Sequence, residues 1–141
     1  IPARYAIERR DWPAAAALVP HSGSSPATEA IIRFARAVGA SRSGNPAAAT
    51  ADIARLAELR DILAAVPDPY WAEQVDIQRR VALAWQAFAQ GRSAEAISQL
   101  AAAAEMEDNT DKAAVTPGPF LPARESMGEL LLQAGRPVER R

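Results

Sequence analysis

The chain has 141 residues, carries a formal net charge of −1 at pH 7 and contains no cysteine. The balanced charge excludes the basic excess of a nucleic-acid-binding arm, and the lack of cysteine excludes disulfides, thiolate metal ligands and a cysteine nucleophile. Hydrophobic residues make up 49% of the chain but aromatic residues only 6%, and alanine supplies much of the remainder. Since alanine favours helices and packs in small spaces, this composition predicts closely packed helices rather than a sheet.

Apolar residues recur at helical spacing through most of the chain, and proline and glycine separate the segments. The predicted helices are, in chain order, 2–9, one capped by Asp11 with Pro13 near its start, 28–43, 46–65, 70–90, 94–107 and 122–134. Residues 21–27 are rich in Ser, Gly and Pro and predict a loop, and 66–69 stop a helix with two prolines. A polar stretch follows at 108–112, and 113–121 is expected to be extended or looped. The sequence predicts an all-α fold.

Four tight breaks divide the helices at comparable intervals, and small residues recur at fixed offsets from them. The breaks begin at Arg10, Gly44, Gly91 and Gly135, with spacings of 34, 47 and 44 residues. The residues at matching offsets are Ala3, Ala37, Ala84 and Gly128; Ala6, Ala40, Ala87 and Leu131; Ala15, Ala49, Ala96 and Arg140; and Val19, Ile53 and Leu100. Small side chains at these positions let two antiparallel helices joined by a short turn approach closely, and the aliphatic position seals each pair against its neighbour.

This pattern resembles the tetratricopeptide repeat, a 34-residue helix-turn-helix unit. Gly128 matches the glycine of that family's pattern, whereas Ala3, Ala37 and Ala84 substitute for it, and most copies lack the signature tryptophan and proline. The resemblance covers nearly the whole chain and implies a right-handed α-solenoid of about three helix-turn-helix units. These units form a single helical repeat domain over 1–141, with approximate units at 1–19 (partial), 28–65, 70–107 and 122–141 (partial).

The chain also resembles the C-terminal part of larger bacterial tetratricopeptide-like proteins. It opens on Ile1 without an initiator methionine or a signal peptide, so we expect a fragment of a longer protein. An incomplete last unit would expose an apolar helix face, which makes a homodimer through the C-terminal end possible. No stretch has the roughly 18 consecutive apolar residues of a membrane span. A soluble protein of the bacterial cytoplasm or periplasm is expected, with the compartment left open.

The first helices of stacked repeats line a concave groove, and this groove is the expected binding surface. The residues assigned to it are Phe34, Val38, Arg42, Gln78, Val81, Trp85, Phe88, Glu125 and Glu129. An apolar centre flanked by an arginine and two glutamates suits a protein or peptide partner better than a metabolite. Tryptophan and arginine are also frequent interface anchors. The alternative is that Trp85 and Phe88 fill the core.

Four other groups carry a functional and a structural interpretation. The single histidine, His21, is a potential general base or an exposed loop residue. The acidic run Glu105, Glu107, Asp108 and Asp111 offers oxygen ligands for calcium or forms a solvated helix end. Tyr70 and Trp71 either line a pocket or fix the preceding loop to the core. The segment 117–122, with three prolines, either docks a partner or covers the helices with Phe120 and Leu121.

No phosphate loop, zinc pattern or pair of catalytic carboxylates is present, so the sequence predicts no enzyme and no cofactor. The predicted function is a non-catalytic interaction or scaffolding module that uses its concave face. One alternative is a structural C-terminal half of a larger enzyme or ligand-binding protein whose active part precedes Ile1. Another alternative is a small-molecule pocket around Tyr70, Trp71 and Trp85.

Overall fold

The computed structural model describes residues 9, 11–19, 23, 25–65, 70–111 and 123–133, and these residues form helices joined by turns. The elements are α1 (Trp12–Ala16), α2 (Pro26–Arg42), a 3-10 helix (Pro46–Ala49), α3 (Thr50–Ala64), α4 (Tyr70–Ala89), α5 (Ser93–Asp111) and α6 (Ala123–Gln133). No strand occurs within the described ranges. The predicted all-α class is therefore confirmed for this part of the chain.

Local sequence signals account for where the helices begin. The carboxylate of Asp11 accepts a hydrogen bond from the Ala14 N–H at 3.2 Å, which confirms the predicted cap of α1. The hydroxyl of Ser25 caps α2 in the same way, with Pro26 in the first turn. Proline lacks the N–H that would remain unpaired at this position, so α2 starts two residues before its predicted beginning.

The two well-described connections within helix pairs have the same backbone geometry. Gly44 and Gly91 have positive φ angles of 94° and 84°, which glycine adopts without steric cost. The shared hydrogen bonds are Asn45 N–H to Ala40 C=O (2.8 Å), Gly44 N–H to Ser41 C=O (3.3 Å), Arg92 N–H to Ala87 C=O (2.8 Å) and Gly91 N–H to Phe88 C=O (3.0 Å). This is the Schellman arrangement, which satisfies carbonyl groups at a helix end. The predicted breaks at 44–46 and 91–93 are thus two copies of one motif.

Residues at the matching repeat offsets are buried in both complete units. The buried residues are Ala37 and Ala84, Ala40 and Ala87, Ala49 and Ala96, and Ile53 and Leu100. Ala15 is also buried at its offset, whereas Val19 is 71% exposed. Gly128 has no atom within 4 Å of where a side chain would begin, so its smallness serves no close contact among the described residues. Leu131 is buried at its offset too, with 8% exposure. The remaining repeat positions, Ala3, Ala6 and Arg140, lie outside the described residues, as does the predicted helix at 2–9 apart from Arg9.

One helix runs further than predicted. Helix α5 continues to Asp111, four residues beyond the predicted end at 107. The earlier end was predicted from the polar stretch that begins at Asp108, but the helical backbone continues through the first part of this stretch. Helix α5 packs against α6, and tertiary packing of this kind can override a local polar signal.

Each helix packs on its neighbours in the chain, and the first helices of successive pairs also pack on one another. Helix α4 lies at the centre and contacts α2, α3, α5 and α6, while α1 packs on α2. The first helices of successive pairs touch one another in a row, α2 against α4 and α4 against α6. Among the described residues, the second helices α3 and α5 make no contact with each other. The largest fully buried side chains include Trp85, Phe34 and Leu56, and burial of each contributes roughly 1.5–3 kcal/mol.

Candidate functional site

The side chain of Arg42, the last residue of α2, contacts residues of three other helices. Its guanidinium carbon lies 4.5 Å from the ring centre of Trp12 on α1 and 4.0 Å from that of Trp85 on α4. Its Nη2 donates a hydrogen bond to Glu129 Oε2 on α6 at 2.8 Å. Both side chains of this ion pair are largely shielded, with exposures of 10% and 20%. We call Trp12, Arg42, Trp85 and Glu129 the Arg42 cluster.

A glycine on α2 brings Trp12 close enough to join the Arg42 cluster. A Cβ atom added to Gly39 would lie 2.5 Å from the Ala16 nitrogen and 2.6 Å from the Trp12 oxygen. These are backbone atoms, so they cannot move aside as a flexible side chain would. The absent side chain of Gly39 therefore permits direct packing of α1 on α2, one turn before Arg42.

Aromatic packing holds the other side of the Arg42 cluster. The ring of Trp85 meets the ring of Phe88 edge to face, with centres 5.9 Å apart and an interplanar angle of 82°. Trp85 is only 1% exposed, while Phe88 is half-buried against the core. Because an offset or perpendicular arrangement suits the charge distribution of aromatic rings, this pair fixes the Trp85 face that Arg42 covers.

The predicted groove residues fall into three groups. Four of them are in the core, with exposures of 1% or less: Phe34, Val38, Val81 and Trp85. A partner cannot touch these side chains, so the structure places them differently from the groove-lining positions expected of them. The reason is that each first helix is covered by its neighbours on several sides, which the repeat offsets alone do not reveal.

Arg42 and Glu129 form the second group, because they bind each other across α2 and α6 instead of facing an open groove. Gln78 and Phe88 form the third group and are half-buried on α4. The side chain of Glu125 lies outside the described residues. The structure thus brings Arg42, Trp85, Phe88 and Glu129 together, in a closed contact.

Several buried polar atoms have no hydrogen-bond partner within the described part of the chain. Four of the five are on the first helices of the pairs, and the fifth is on α5: Ser41 Oγ, Gln78 Oε1, Trp85 Nε1, Ser126 Oγ and Gln99 Oε1. Buried polar groups are normally paired, so each of these five atoms carries a desolvation cost that the described contacts do not offset. Because the fold encloses them, none is presented to a partner from outside.

Two clusters of arginines and carboxylates lie along the helix pairs. In the first, Asp52 on α3 is buried and accepts hydrogen bonds from Arg33 at 2.9 Å and Arg36 at 3.1 Å. Glu29 accepts from Arg55 and Arg33, and Arg55 also binds Glu58. The hydrogen bond from Arg55 holds the pKa of Glu29 below its ordinary value against the opposing effect of burial, with further help from Arg33. Three positive charges here meet three negative charges.

The second cluster surrounds Asp76 on α4. Its Oδ1 accepts hydrogen bonds from Arg60 on α3 and from Arg79, each at 2.9 Å, and its Oδ2 accepts one from Arg80 at 3.2 Å. Burial raises the pKa of Asp76, but the hydrogen bonds from Arg60 and Arg79 and the charges of Arg79 and Arg80 outweigh burial and lower it. Asp61, with its side chain 73% exposed, contacts Arg60 at 3.2 Å. We call Arg60, Arg79, Arg80 and Asp76 the Asp76 cluster.

Tyr70 and Trp71 lie at the start of α4, where their rings meet edge to face with centres 5.1 Å apart. Trp85 lies fourteen residues further along the same helix than Trp71, about 21 Å away at 1.5 Å per residue. One small-molecule pocket cannot include all three rings, so that alternative does not hold. Trp71 is instead a surface side chain, 48% exposed.

The other candidates contribute no described site. His21 and the segment 117–122 lie outside the described residues. Within the described residues, no three His, Cys, Asp or Glu side chains are grouped closely enough to hold a metal ion. The described helices also include none with the length and apolar character needed to cross a membrane.

Sequence reasoning missed Trp12, Gly39 and the Asp76 cluster. Trp12 falls in the predicted break that begins at Arg10. Its place directly after the helix cap Asp11 is a sequence feature that could have indicated packing against a neighbouring helix. Comparison with known proteins adds no further assignment, since no family model, no curated protein and no solved structure matches this chain.

Proposed function

We propose that this chain is a non-catalytic protein-binding module of tetratricopeptide-like helix pairs. The observation that carries the proposal is the order of helix contacts. The first helices α2, α4 and α6 touch in a row, whereas α3 and α5 do not touch within the described residues. A right-handed solenoid has this unequal arrangement, and its continuous row of first helices is a surface for an extended peptide or a partner helix.

The open part of this row is at the start of α4. Trp71, Gln78 and Trp85 are seven residues apart, so they lie along one stripe of the helix. Arg42 covers Trp85 at one end of the stripe, while Trp71 remains 48% exposed at the other. Between them, Gln78 carries a buried amide oxygen without a partner among the described residues. Since that oxygen is enclosed by the fold, the contact offered to a partner peptide is the aromatic anchor at Trp71.

The chain offers a matched control for Trp71. Ile62 on α3 is another large apolar side chain of similar exposure, 46%, but it belongs to a second helix. Neither truncation should change the free energy of unfolding by more than about 1 kcal/mol, because both side chains are largely outside the core. Circular dichroism and thermal melting would verify that Trp71→Ala and Ile62→Ala are folded.

The test is affinity capture with the purified chain and both variants as parallel baits, read by mass spectrometry and repeated with the recovered partner in pure form. We expect a stoichiometric protein to bind the unaltered chain and Ile62→Ala, and to bind Trp71→Ala at least tenfold more weakly. Equal retention by all three baits, or loss with Ile62→Ala alone, would place the binding surface away from the first helices. Binding of no protein by any folded bait would refute the proposed function.

A further inference from the structure

The two arginine clusters contain equal numbers of arginines but different numbers of carboxylates. The cluster at Glu29 and Asp52 is neutral because Glu58 supplies a third carboxylate. Around Asp76, three guanidinium groups meet one partly buried carboxylate, and the exposed Asp61 contacts only Arg60. Within the described part of the chain, Asp76 and Asp61 are the residues whose carboxylate oxygens lie within 4.0 Å of a guanidinium nitrogen of Arg60, Arg79 or Arg80. When Asp61 is counted as Glu58 is in the first cluster, three arginines face two carboxylates, and the Asp76 cluster carries one surplus positive charge.

The surplus charge is accessible from solvent. The side chains of Arg60 and Arg80 are 31% and 32% exposed, whereas Asp76 beneath them is 14% exposed. A guanidinium group has five N–H donors, and each of these arginines uses only one or two of them on Asp76 and Asp61. The donors that remain are arranged as a fork that matches a carboxylate.

The position of the cluster relates it to Trp71. Arg79 follows Trp71 by eight residues on α4, a separation of about 12 Å along the helix axis. At 3.6 residues per turn, Arg79 lies about 80° and Arg80 about 180° around α4 from Trp71, so the cluster occupies a different face of the helix. That face is turned towards Arg60 on α3. An acidic segment of a partner would therefore bind beside α3, apart from the side chain that contacts Trp71.

We infer that the Asp76 cluster is a binding site for an acidic peptide segment, with Arg60 and Arg80 as the residues that contact its carboxylates. This inference rests on the proposed function, which it extends by naming the chemistry of the partner. Asp76 holds the three guanidinium groups together, so that an incoming carboxylate neutralises charge that the fold leaves unbalanced. Such binding is electrostatic and weakens as salt screens it.

The experiment follows the Nε–Hε signals of the arginines by NMR while a polyglutamate peptide is titrated into the isotope-labelled chain. We expect saturable shifts at Arg60, Arg79 and Arg80, with little change at Arg55 in the neutral cluster. Arg80→Gln should weaken binding about tenfold, because it removes a charged donor from the peptide carboxylate. Arg55→Gln, the matched control, should leave the affinity unchanged. Raising the salt concentration should weaken the binding of the peptide to the unaltered chain.

Equal shifts in both clusters, or no saturable shift at Arg60 and Arg80, would overturn the inference. Saturation by inorganic phosphate but not by the peptide would also overturn it, because the site would then recognise phosphate. This outcome is separable from failure of the proposed function. If polyglutamate binds as expected and no protein is captured through Trp71, only the proposed function fails; if a protein is captured and polyglutamate does not bind, only the inference fails.

Discussion

The guanidinium group of Arg42 stacks on the indole ring of Trp85 at 4.0 Å, and Trp12 lies against the same guanidinium at 4.5 Å. Arg42 also binds Glu129, 87 residues further along the chain. A single side chain thus connects α1, α2, α4 and α6. This arrangement depends on the flat shape of guanidinium, because an ammonium group cannot stack on two rings and donate to a carboxylate in the same plane.

Replacement of Arg42 by lysine should therefore destabilise the fold although the charge is kept. We expect the free energy of unfolding to fall by about 1–3 kcal/mol, from lost stacking and a poorer bond to Glu129. Chemical denaturation measures this change. Arg92→Lys is the matched control, since its pair with Glu95 is half exposed on both sides and should contribute less than about 1 kcal/mol. Equal effects of the two substitutions would show that the Arg42 cluster contributes no special stability.

Two helical glycines are expected to respond in opposite directions to alanine. Gly39→Ala places a Cβ atom within 2.6 Å of two backbone atoms of α1, so α1 must shift away, at a cost of about 2 kcal/mol or more. Gly128→Ala meets no atom within 4 Å and gains helix propensity, which should stabilise the protein by about 0.5–1 kcal/mol. Thermal melting compares them. Tryptophan fluorescence, recorded with Trp71 replaced by phenylalanine so that only Trp12 and Trp85 of the Arg42 cluster remain, reports on the position of α1. A stable Gly39→Ala variant with unchanged fluorescence would contradict the close packing.

The two Schellman turns should be equally sensitive to substitution. Gly44→Ala and Gly91→Ala each force an L-residue into a positive φ angle, which costs roughly 1–2 kcal/mol. Gly44→Asn should lose less stability than Gly44→Ala, since asparagine tolerates this conformation better. Denaturation of the three variants tests this order. A large difference between the two alanine variants would mean that the turns are not equivalent in energy.

The Asp76 cluster gives a pH dependence of defined sign. Because the folded-state pKa of Asp76 lies below the ordinary aspartate value, its ionised form stabilises the fold above that value. This contribution is lost as the pH falls from the ordinary value through the lowered one. Asp76→Asn should thus be less stable than the unaltered chain at neutral pH, and the difference should shrink at acidic pH. Asp61→Asn is the control, and its exposed carboxylate should give a small difference at either pH.

The features that follow from local sequence were predictable. The cap at Asp11, the turns at Gly44 and Gly91 and the bounds of α4 depend on residues a few positions apart. The same locality explains why matching alanines, such as Ala37 and Ala84, could be identified as buried contact positions.

Tertiary features were beyond reach of the same reasoning. The bond between Arg42 and Glu129 spans most of the chain, and no local pattern indicates it. Burial of Phe34 and Val81 depends on how many neighbours surround each first helix, which periodicity does not give. Arg60 lies near Arg79 and Arg80 only because α3 packs against α4. The net charge of the whole chain is −1, so it gives no sign of this local positive charge.

The central position of α4 implies an order of local opening. Helix α1 packs on α2, α3 packs on α2 and α4, and α6 packs on α4 and α5. Helix α4 packs on four other α-helices. Amide hydrogens in α4 should therefore exchange with solvent last, at a free energy near that of global unfolding. Those of α1 and α6 should exchange sooner, through fraying of each end. The helices would then open one after another from the two ends of the described part. Because Arg42 contacts α1, α4 and α6, it would determine how far opening of one end destabilises the other.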